Sequence, residues 1–224
     1  MSQQFLKLIQ RGATAEIADA VADDPALLSW RDPQDVSALL WSIYCGQTLV
    51  RDFLLAEKSR AGEALDIFEA AASGDTDSLR HSLSAAPEAV HTWSGDGWTA
   101  LHLAAAFGTP EAVRLLLENG ANVEAVSKNP QTNQPLHAAL ALGRNRETIE
   151  LLLAAGANPN ARQTGGFTPI FSAAAANRRD LAEILIASGA DPAIQNDFGQ
   201  TAAGFAHERN HTELANWLEA LKSS

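Results

Sequence analysis

The chain has 224 residues, of which 46% are hydrophobic and 19% are charged, a composition typical of a folded, soluble protein. Its formal net charge of −11 would repel nucleic acid and anionic membranes, so neither is expected as a main partner. A basic partner is favoured instead. Cys45 is the only cysteine, so the chain forms no internal disulfide, and this usage fits a reducing compartment.

The first residues, MSQQFLKLIQ, lack the cationic start, long apolar run and small-residue cleavage site of a signal peptide. No stretch of the sequence reaches the roughly 18 uninterrupted apolar residues that a membrane span requires. We therefore predict a cytoplasmic protein.

Helical patterns begin near the N-terminus and follow the plan of later segments less faithfully. FLKLIQRGATAEIADAV (5–21) is one degenerate unit. SALLWSIYCG (37–46) aligns residue for residue with TALHLAAAFG (99–108), and IFEAAASGDTDSLRHSL (67–83) is typical of a first and a second helix. We predict three divergent units over residues 1–96, with a loop from Lys58 to Glu63.

Four more regular units follow over residues 97–224. Their equivalent positions are spaced 35, 34 and 33 residues apart, at Thr99, Gln134, Thr168 and Thr201. A period of this length indicates a helical array. In most units a glycine-containing turn precedes Thr with Pro or Ala at a helix start, followed by a pair of alanines, and the first three end a leucine-rich second helix at a glycine.

These motifs resemble the ankyrin repeat. TALHLAA, QPLHAAL and TPIFSAA resemble the family's T-P-L-H-x-A start, and GANVEA, GANPNA and GADPAI resemble its G-A-(D/N)-x-N close. The resemblance implies an all-α solenoid of about seven helix-turn-helix units with projecting β-turns, stacked continuously, the last unit being a C-terminal cap. It also implies that His102 and His137 bond turn backbone and join neighbouring units, with no catalytic, metal or cofactor role.

In the resembled fold, turn tips and first helices form a concave groove that binds proteins. The variable positions of this groove predict a partner-binding surface, flanked by charged residues, because exposed aromatic side chains dominate binding sites. The alternative is that some of these rings fold inward and fill gaps between divergent units. The predicted residues are Tyr44, Asp96, Trp98, Phe107, Asn133, Leu142, Arg162, Phe167, Gln200 and Arg209.

The segment HERNH (207–211) fits the H-E-x-x-H pattern, in which two histidines on one helix face bind zinc and the glutamate activates water. The repeat register places His207 in a first helix and Asn210 where other units end that helix. His211 then falls in the next turn, so the two imidazoles should not face one site. We predict no metal and no catalytic residues here.

Charge is uneven along the chain, with −9 in residues 1–112 and −2 in residues 113–224. The acidic N-terminal half would attract a basic segment of a partner. Arginines recur at the bends between paired helices and predict a small basic ridge, whose simplest interpretation is solubility: Arg144, Arg146, Arg178 and Arg179.

The favoured function is a non-catalytic scaffold that binds a protein partner in the groove. Two alternatives stay open: a metal-dependent hydrolase using HERNH, and a secreted, host-directed effector. A monomer is the expected state, although an aromatic groove could also pair with itself.

Overall fold

A computed structural model describes residues 2–142 and 146–221. Within these ranges the chain forms fourteen α-helices and no extended strand, and no helix there is both long and apolar enough to cross a membrane. The helices are α1 (Ser2–Gln10), α2 (Thr14–Asp23), α3 (Ala38–Tyr44), α4 (Thr48–Ala61), α5 (Ile67–Ser73), α6 (Thr76–Ala85), α7 (Ala100–Ala106), α8 (Pro110–Glu118), α9 (Pro135–Ala141), α10 (Arg146–Ala154), α11 (Pro169–Ala175), α12 (Arg179–Ala187), α13 (Ala202–Glu208) and α14 (Thr212–Leu221).

The fourteen helices form seven antiparallel pairs, here called units 1 to 7. The first helices stack on one another in chain order, from α1 against α3 to α11 against α13. Second helices form the other layer, in which α8 packs against α6 and α10. This arrangement confirms the predicted all-α solenoid of about seven units.

Small residues allow the first helices to approach closely. The alanine pairs at 104–105, 138–139 and 173–174 are all buried between neighbouring units. At Gly108 an added Cβ would lie 2.3 Å from the carbonyl oxygen of Ala71, which belongs to the preceding unit. Any larger side chain at these positions would push adjacent units apart.

The N-terminal units repeat the later geometry despite their divergent sequence. Ser37 forms an isolated bridge with Arg31 and caps α3, as Thr99 forms one with Trp93 and caps α7. In the turn that this bridge closes, Asp35 has a φ of 64°, at the position where the later turn has a glycine. The alignment of residues 37–46 with 99–108 is therefore confirmed in three dimensions.

The loop predicted from Lys58 to Glu63 is wrong, because α4 continues to Ala61 and ends at Gly62 with a φ of 72°. Lys58 is buried, and its Nζ lies 3.5 Å from a Glu63 carboxylate oxygen and 3.6 Å from one of Glu69. The methylene groups of Lys58 lie on the apolar side of the helix, and its ammonium group pairs with the two carboxylates. Sequence periodicity alone treats this lysine as a surface residue and so ends the helix early.

Two buried histidines join consecutive units, as the resemblance implied. His102 Nε2 donates to the carbonyl oxygen of Asn133 at 3.1 Å, and His137 Nε2 donates to that of Ala161 at 3.1 Å. A carbonyl oxygen only accepts, so each ring carries its proton on Nε2. Burial lowers the pKa of both imidazoles to about 4, which keeps them neutral.

Candidate functional site

A hollow of about 570 Å³ opens where the turn tips and first helices of units 4 and 5 meet. The turns before α7, α9 and α11 and the C-terminal ends of α3, α7 and α9 form its walls. We call it the aromatic hollow, and it is lined by Tyr44, Asp96, Trp98, Phe107, Asn129, Gln131, Asn133, Ala138, Ala141, Leu142 and Gln163.

Three half-buried rings form a row along one side of the aromatic hollow. The Phe107 centroid lies 5.3 Å from that of Tyr44 and 6.1 Å from that of Trp98, with interplanar angles of 36° and 29°. Tyr44 belongs to unit 2 and reaches Phe107 past unit 3, which has only Ser73 and Gly74 at the equivalent helix end. Small residues in one unit thus allow rings from its two neighbours to meet.

Asn133 forms a polar part of the hollow. Its side chain is only 6% exposed, and its Oδ1 atom has no hydrogen-bond partner among the described residues. Its backbone is already bonded, because its N–H donates to Ser127 Oγ at 3.0 Å and its carbonyl accepts from His102. An unpaired buried acceptor costs about 1–3 kcal/mol, and this oxygen is covered by the chain rather than open to the hollow.

The acidic end of the hollow is formed by Asp96 and Tyr44. Burial, followed by the negative charge of Asp96, raises the pKa of the Tyr44 phenol, which is therefore protonated at neutral pH. The Tyr44 hydroxyl is covered by the chain and lies beside the Asp96 carboxylate, which acts on its pKa. Asp96 is therefore the charged group that the hollow presents.

Leu142 completes the apolar rim. It is 50% exposed at the end of α9 and lines the hollow together with the three rings. The structure therefore brings together six of the residues predicted for partner binding: Tyr44, Asp96, Trp98, Phe107, Asn133 and Leu142.

Phe167 does not line this hollow. Its ring packs against Phe171 at 5.4 Å, Phe205 at 5.5 Å and Phe198 at 6.2 Å, in a separate aromatic cluster of units 6 and 7. Much of its surface is covered within the chain, as the inward-packing alternative describes. Phe198 itself is 72% exposed at a turn tip.

The remaining predicted residues lie beside this cluster and have partners of their own. Arg162 donates to Asp197 at 2.7 Å and to the carbonyl of Gln195 at 2.9 Å. Arg209 lies over the Phe205 ring, 3.6 Å from its centroid. Gln200 donates from Nε2 to Glu208 at 2.6 Å.

The predicted basic ridge is largely neutralised by acids of the same helices. Arg146 pairs with Glu150 at 2.7 Å, and Arg179 pairs with Glu183 at 2.9 Å. Arg178 pairs with an aspartate two residues further on, at 2.7 Å. Arg144 lies outside the described residues.

The two histidines of HERNH face different neighbours. His207 lies in α13 with its Nε2 3.6 Å from Glu219, whereas His211 Nδ1 donates to the carbonyl of Ala174 at 3.0 Å. Asn210, with a φ of 61°, breaks the helix between them. The predicted register is confirmed, and among the described residues no group of three metal-binding side chains occurs.

A second hollow, of about 290 Å³, lies beside Lys58 in units 2 and 3. Its charges pair with one another: Lys58 with Glu63 and Glu69, and Arg31 with Asp66. These pairs join units 2 and 3, so this hollow is explained by structure alone.

Sequence reasoning missed four lining residues, namely Asn129, Gln131, Ala138 and Gln163. Ala138 is one of the paired alanines, to which the sequence assigns a packing role between first helices. Asn129 and Gln131 lie in the longest turn between units, where Asn129 accepts from Ser127 Oγ as Asp96 accepts from Ser94 Oγ in the preceding turn. Their position is visible only once the turn is folded.

Two family profiles match the chain. A profile described as "Ankyrin repeats (3 copies)" matches residues 67–163, and one described as "Ankyrin repeats (many copies)" matches residues 170–219. Together they cover more than half of the chain. The chain belongs to the ankyrin-repeat family. Ankyrin repeats are generally protein–protein interaction modules and are typically non-enzymatic.

Similar proteins are much longer than this ankyrin-repeat chain. It is 35% identical over 121 residues to the human BCL-6 corepressor-like protein 1, covering 54% of this chain and 7% of that protein. It is 39% identical over 101 residues to the rice "Probable E3 ubiquitin-protein ligase XBOS31", covering 45% and 22%. With the human "NAD-capped RNA hydrolase NUDT12" it shares 45% identity over 62 residues, covering 28% and 13%. The chain thus spans less than a quarter of each of these relatives.

Proposed function

We propose that this chain is a non-catalytic interaction module that holds a segment of a partner protein in the aromatic hollow. The observation that carries the proposal is the convergence of Tyr44, Trp98, Phe107 and Leu142 on one open hollow that also holds the Asp96 carboxylate. Apolar pockets with a few convergent polar groups are the usual form of a binding site. We further propose that the module acts as a monomer in the cytoplasm.

A comparison of two leucines tests the proposal, after partners are captured from native lysate and identified by mass spectrometry. Leu142 is 50% exposed in the hollow, and Leu49 is 74% exposed outside it. Leu142→Ala should weaken binding of a captured partner at least fivefold, or about 1 kcal/mol, while Leu49→Ala changes it less than twofold. Both variants should fold normally because neither side chain is buried.

Titration calorimetry measures both affinities. Wild-type affinity for Leu142→Ala, with lost affinity for Leu49→Ala, would place the site outside the aromatic hollow. Trp98→Ala gives a second reading and should cost on the order of 2 kcal/mol of binding free energy.

The hydrolase alternative is not favoured, because His211 is engaged in a hydrogen bond to unit 6 and His207 lies beyond a helix break. The similarity to an RNA hydrolase spans 13% of that enzyme and does not transfer its activity to this chain. Elemental analysis should find less than one zinc per chain. A tightly held zinc that is lost in His207→Ala would support the metal-site interpretation.

No observation favours the secreted effector over the intracellular module.

A further inference from the structure

We infer that the aromatic hollow selects a basic segment by one arginine, whose guanidinium lies over the row of rings and pairs with Asp96. This inference rests on the proposed function, because it names the chemistry of the segment that the hollow would hold.

The first argument concerns the three carboxylates whose negative charge raises the pKa of Tyr44, namely Asp96, Asp66 and Asp32. Asp32 accepts from two backbone N–H groups and from the indole of Trp41 at 2.9 Å. Asp66 pairs with Arg31 and caps a helix. Those two carboxylates are therefore already compensated.

Asp96 differs from the other two. Its neighbours are neutral: it accepts a hydrogen bond from the Ser94 hydroxyl in its own turn and lies beside the Tyr44 phenol, and no ion pair involves it among the described residues. It also lines the hollow directly. A carboxylate without a cationic partner beside aromatic rings favours a cation from outside the chain.

The second argument concerns the rings. Elsewhere the chain covers exposed aromatic faces with its own cations: Lys128 Nζ lies 3.7 Å from the centroid of Trp93, and Arg209 lies over Phe205. Among the described residues, no lysine or arginine lies over Tyr44 or Trp98. The Tyr44 and Trp98 rings offer the same kind of surface, and the described chain places none of its own cations on them.

The third argument decides between arginine and lysine. The hollow combines the Asp96 carboxylate with the Tyr44 and Trp98 rings. A guanidinium has five N–H donors in one plane and stacks on aromatic faces, so one arginine can pair with the carboxylate while its plane lies on a ring. A lysine ammonium is a compact charge with a larger hydration cost, and satisfies fewer of these groups.

The test uses the fact that Tyr44 is the only tyrosine in the chain. Protein labelled with ¹³C-tyrosine gives one ring signal set, from within the hollow. It is titrated with four synthetic peptides, acetyl-Gly-Ser-X-Ser-Gly-amide, in which X is arginine, lysine, leucine or glutamate. The arginine peptide should shift the Tyr44 signals saturably and bind about tenfold more tightly than the leucine peptide, with lysine between them.

Asp96→Asn is the decisive variant, because the amide oxygen still accepts from Ser94 while the charge is lost. It should weaken the arginine peptide about tenfold and leave the leucine peptide unchanged. Asp77→Asn is the matched control, since Asp77 is exposed on α6 outside the hollow and its loss changes the net charge equally. It should leave the arginine preference intact, and thermal melts of both variants should match the wild type.

Equal affinity for the arginine and leucine peptides would overturn the inference, as would an arginine preference that Asp96→Asn leaves unchanged. Failure of the arginine peptide to shift Tyr44 would overturn it too. These results concern only the chemistry of the ligand, whereas the Leu142 and Leu49 comparison tests the binding site independently.

Discussion

Trp98 and Phe167 occupy the same position in units 4 and 6, yet their surroundings differ. Beyond Trp98 the next unit presents Asn133 at this position, and the ring borders an open hollow. The Phe167 ring instead packs against Phe205, which lies in the first helix of the next unit. Equal register therefore does not give equal surroundings, because the next unit decides which side chains pack against a ring.

The histidine position shows the same contrast. Units 4 and 5 carry His102 and His137 there, and each donates to the following turn. Unit 6 carries Phe171, which is 2% exposed and packs on Phe167 and Phe205 instead. At this position the central units are joined by hydrogen bonds and the C-terminal units by aromatic packing, so the two regions should respond differently to mutation and to pH.

The largest expected effect concerns the aromatic cluster. Phe171→Ala removes a fully buried ring and should cost about 3–5 kcal/mol of unfolding free energy. Phe198→Ala, at a ring 72% exposed, should change it by less than about 0.5 kcal/mol. Denaturant melts measure both, and similar values for the two would contradict the buried cluster.

Acid should weaken the central units next. The pKa of both buried histidines is about 4 in the folded chain, below the ordinary 6.5, because burial disfavours the charged form. As the pH falls, the two histidines bind protons in the unfolded chain before they do so in the folded chain. The stability that depends on their being neutral is therefore complete above pH 6.5 and is lost progressively as the pH falls to about 4. Lowering the pH from 6 to 5 should cost about 2–3 kcal/mol.

The acid effect can be assigned by substitution. The slope of the unfolding free energy against pH measures how many more protons the unfolded chain binds than the folded chain. In the double variant His102→Asn/His137→Asn this number should fall by nearly two in the same pH range. His81→Asn, at an exposed histidine, should keep the wild-type slope. An unchanged slope in the double variant would attribute the acid sensitivity to carboxylates instead.

Overpacking tests the contact between first helices. Ala105 is fully buried, so Ala105→Leu should cost about 1–3 kcal/mol. Ala15→Leu, on the exposed side of α2, is the matched control and should leave the melting temperature nearly unchanged. If both variants melt like the wild type, Ala105 does not hold neighbouring units in contact.

The smallest effect is expected on the basic ridge. Arg178→Ala removes an exposed pair with Asp180, and such pairs contribute about 0–1 kcal/mol. Neither stability nor partner affinity should change measurably. A partner that binds Arg178→Ala several-fold more weakly would reveal a second contact surface on the helix bends.

The sequence predicted most of the fold because the repeat carries its own local signals. Spacing of 33 to 35 residues, a capping Thr, paired alanines and the histidine position each specify contacts with an adjacent unit. Since most contacts in a solenoid are within a unit or between neighbouring units, these local signals determine the architecture and the inter-unit bonds of His102 and His137. The exception was Lys58, whose burial depends on Glu69, a residue in the following unit.

The candidate site was only partly determined by sequence. Register placed Trp98, Phe107 and Leu142 on one face, but it placed Phe167 there equally. Only the tertiary structure showed that Phe167 is covered by Phe205, while Tyr44 crosses unit 3 to meet Phe107. The physical reason is that repeat position fixes where a side chain begins, whereas the volume of side chains in the flanking units decides whether the space around it is filled.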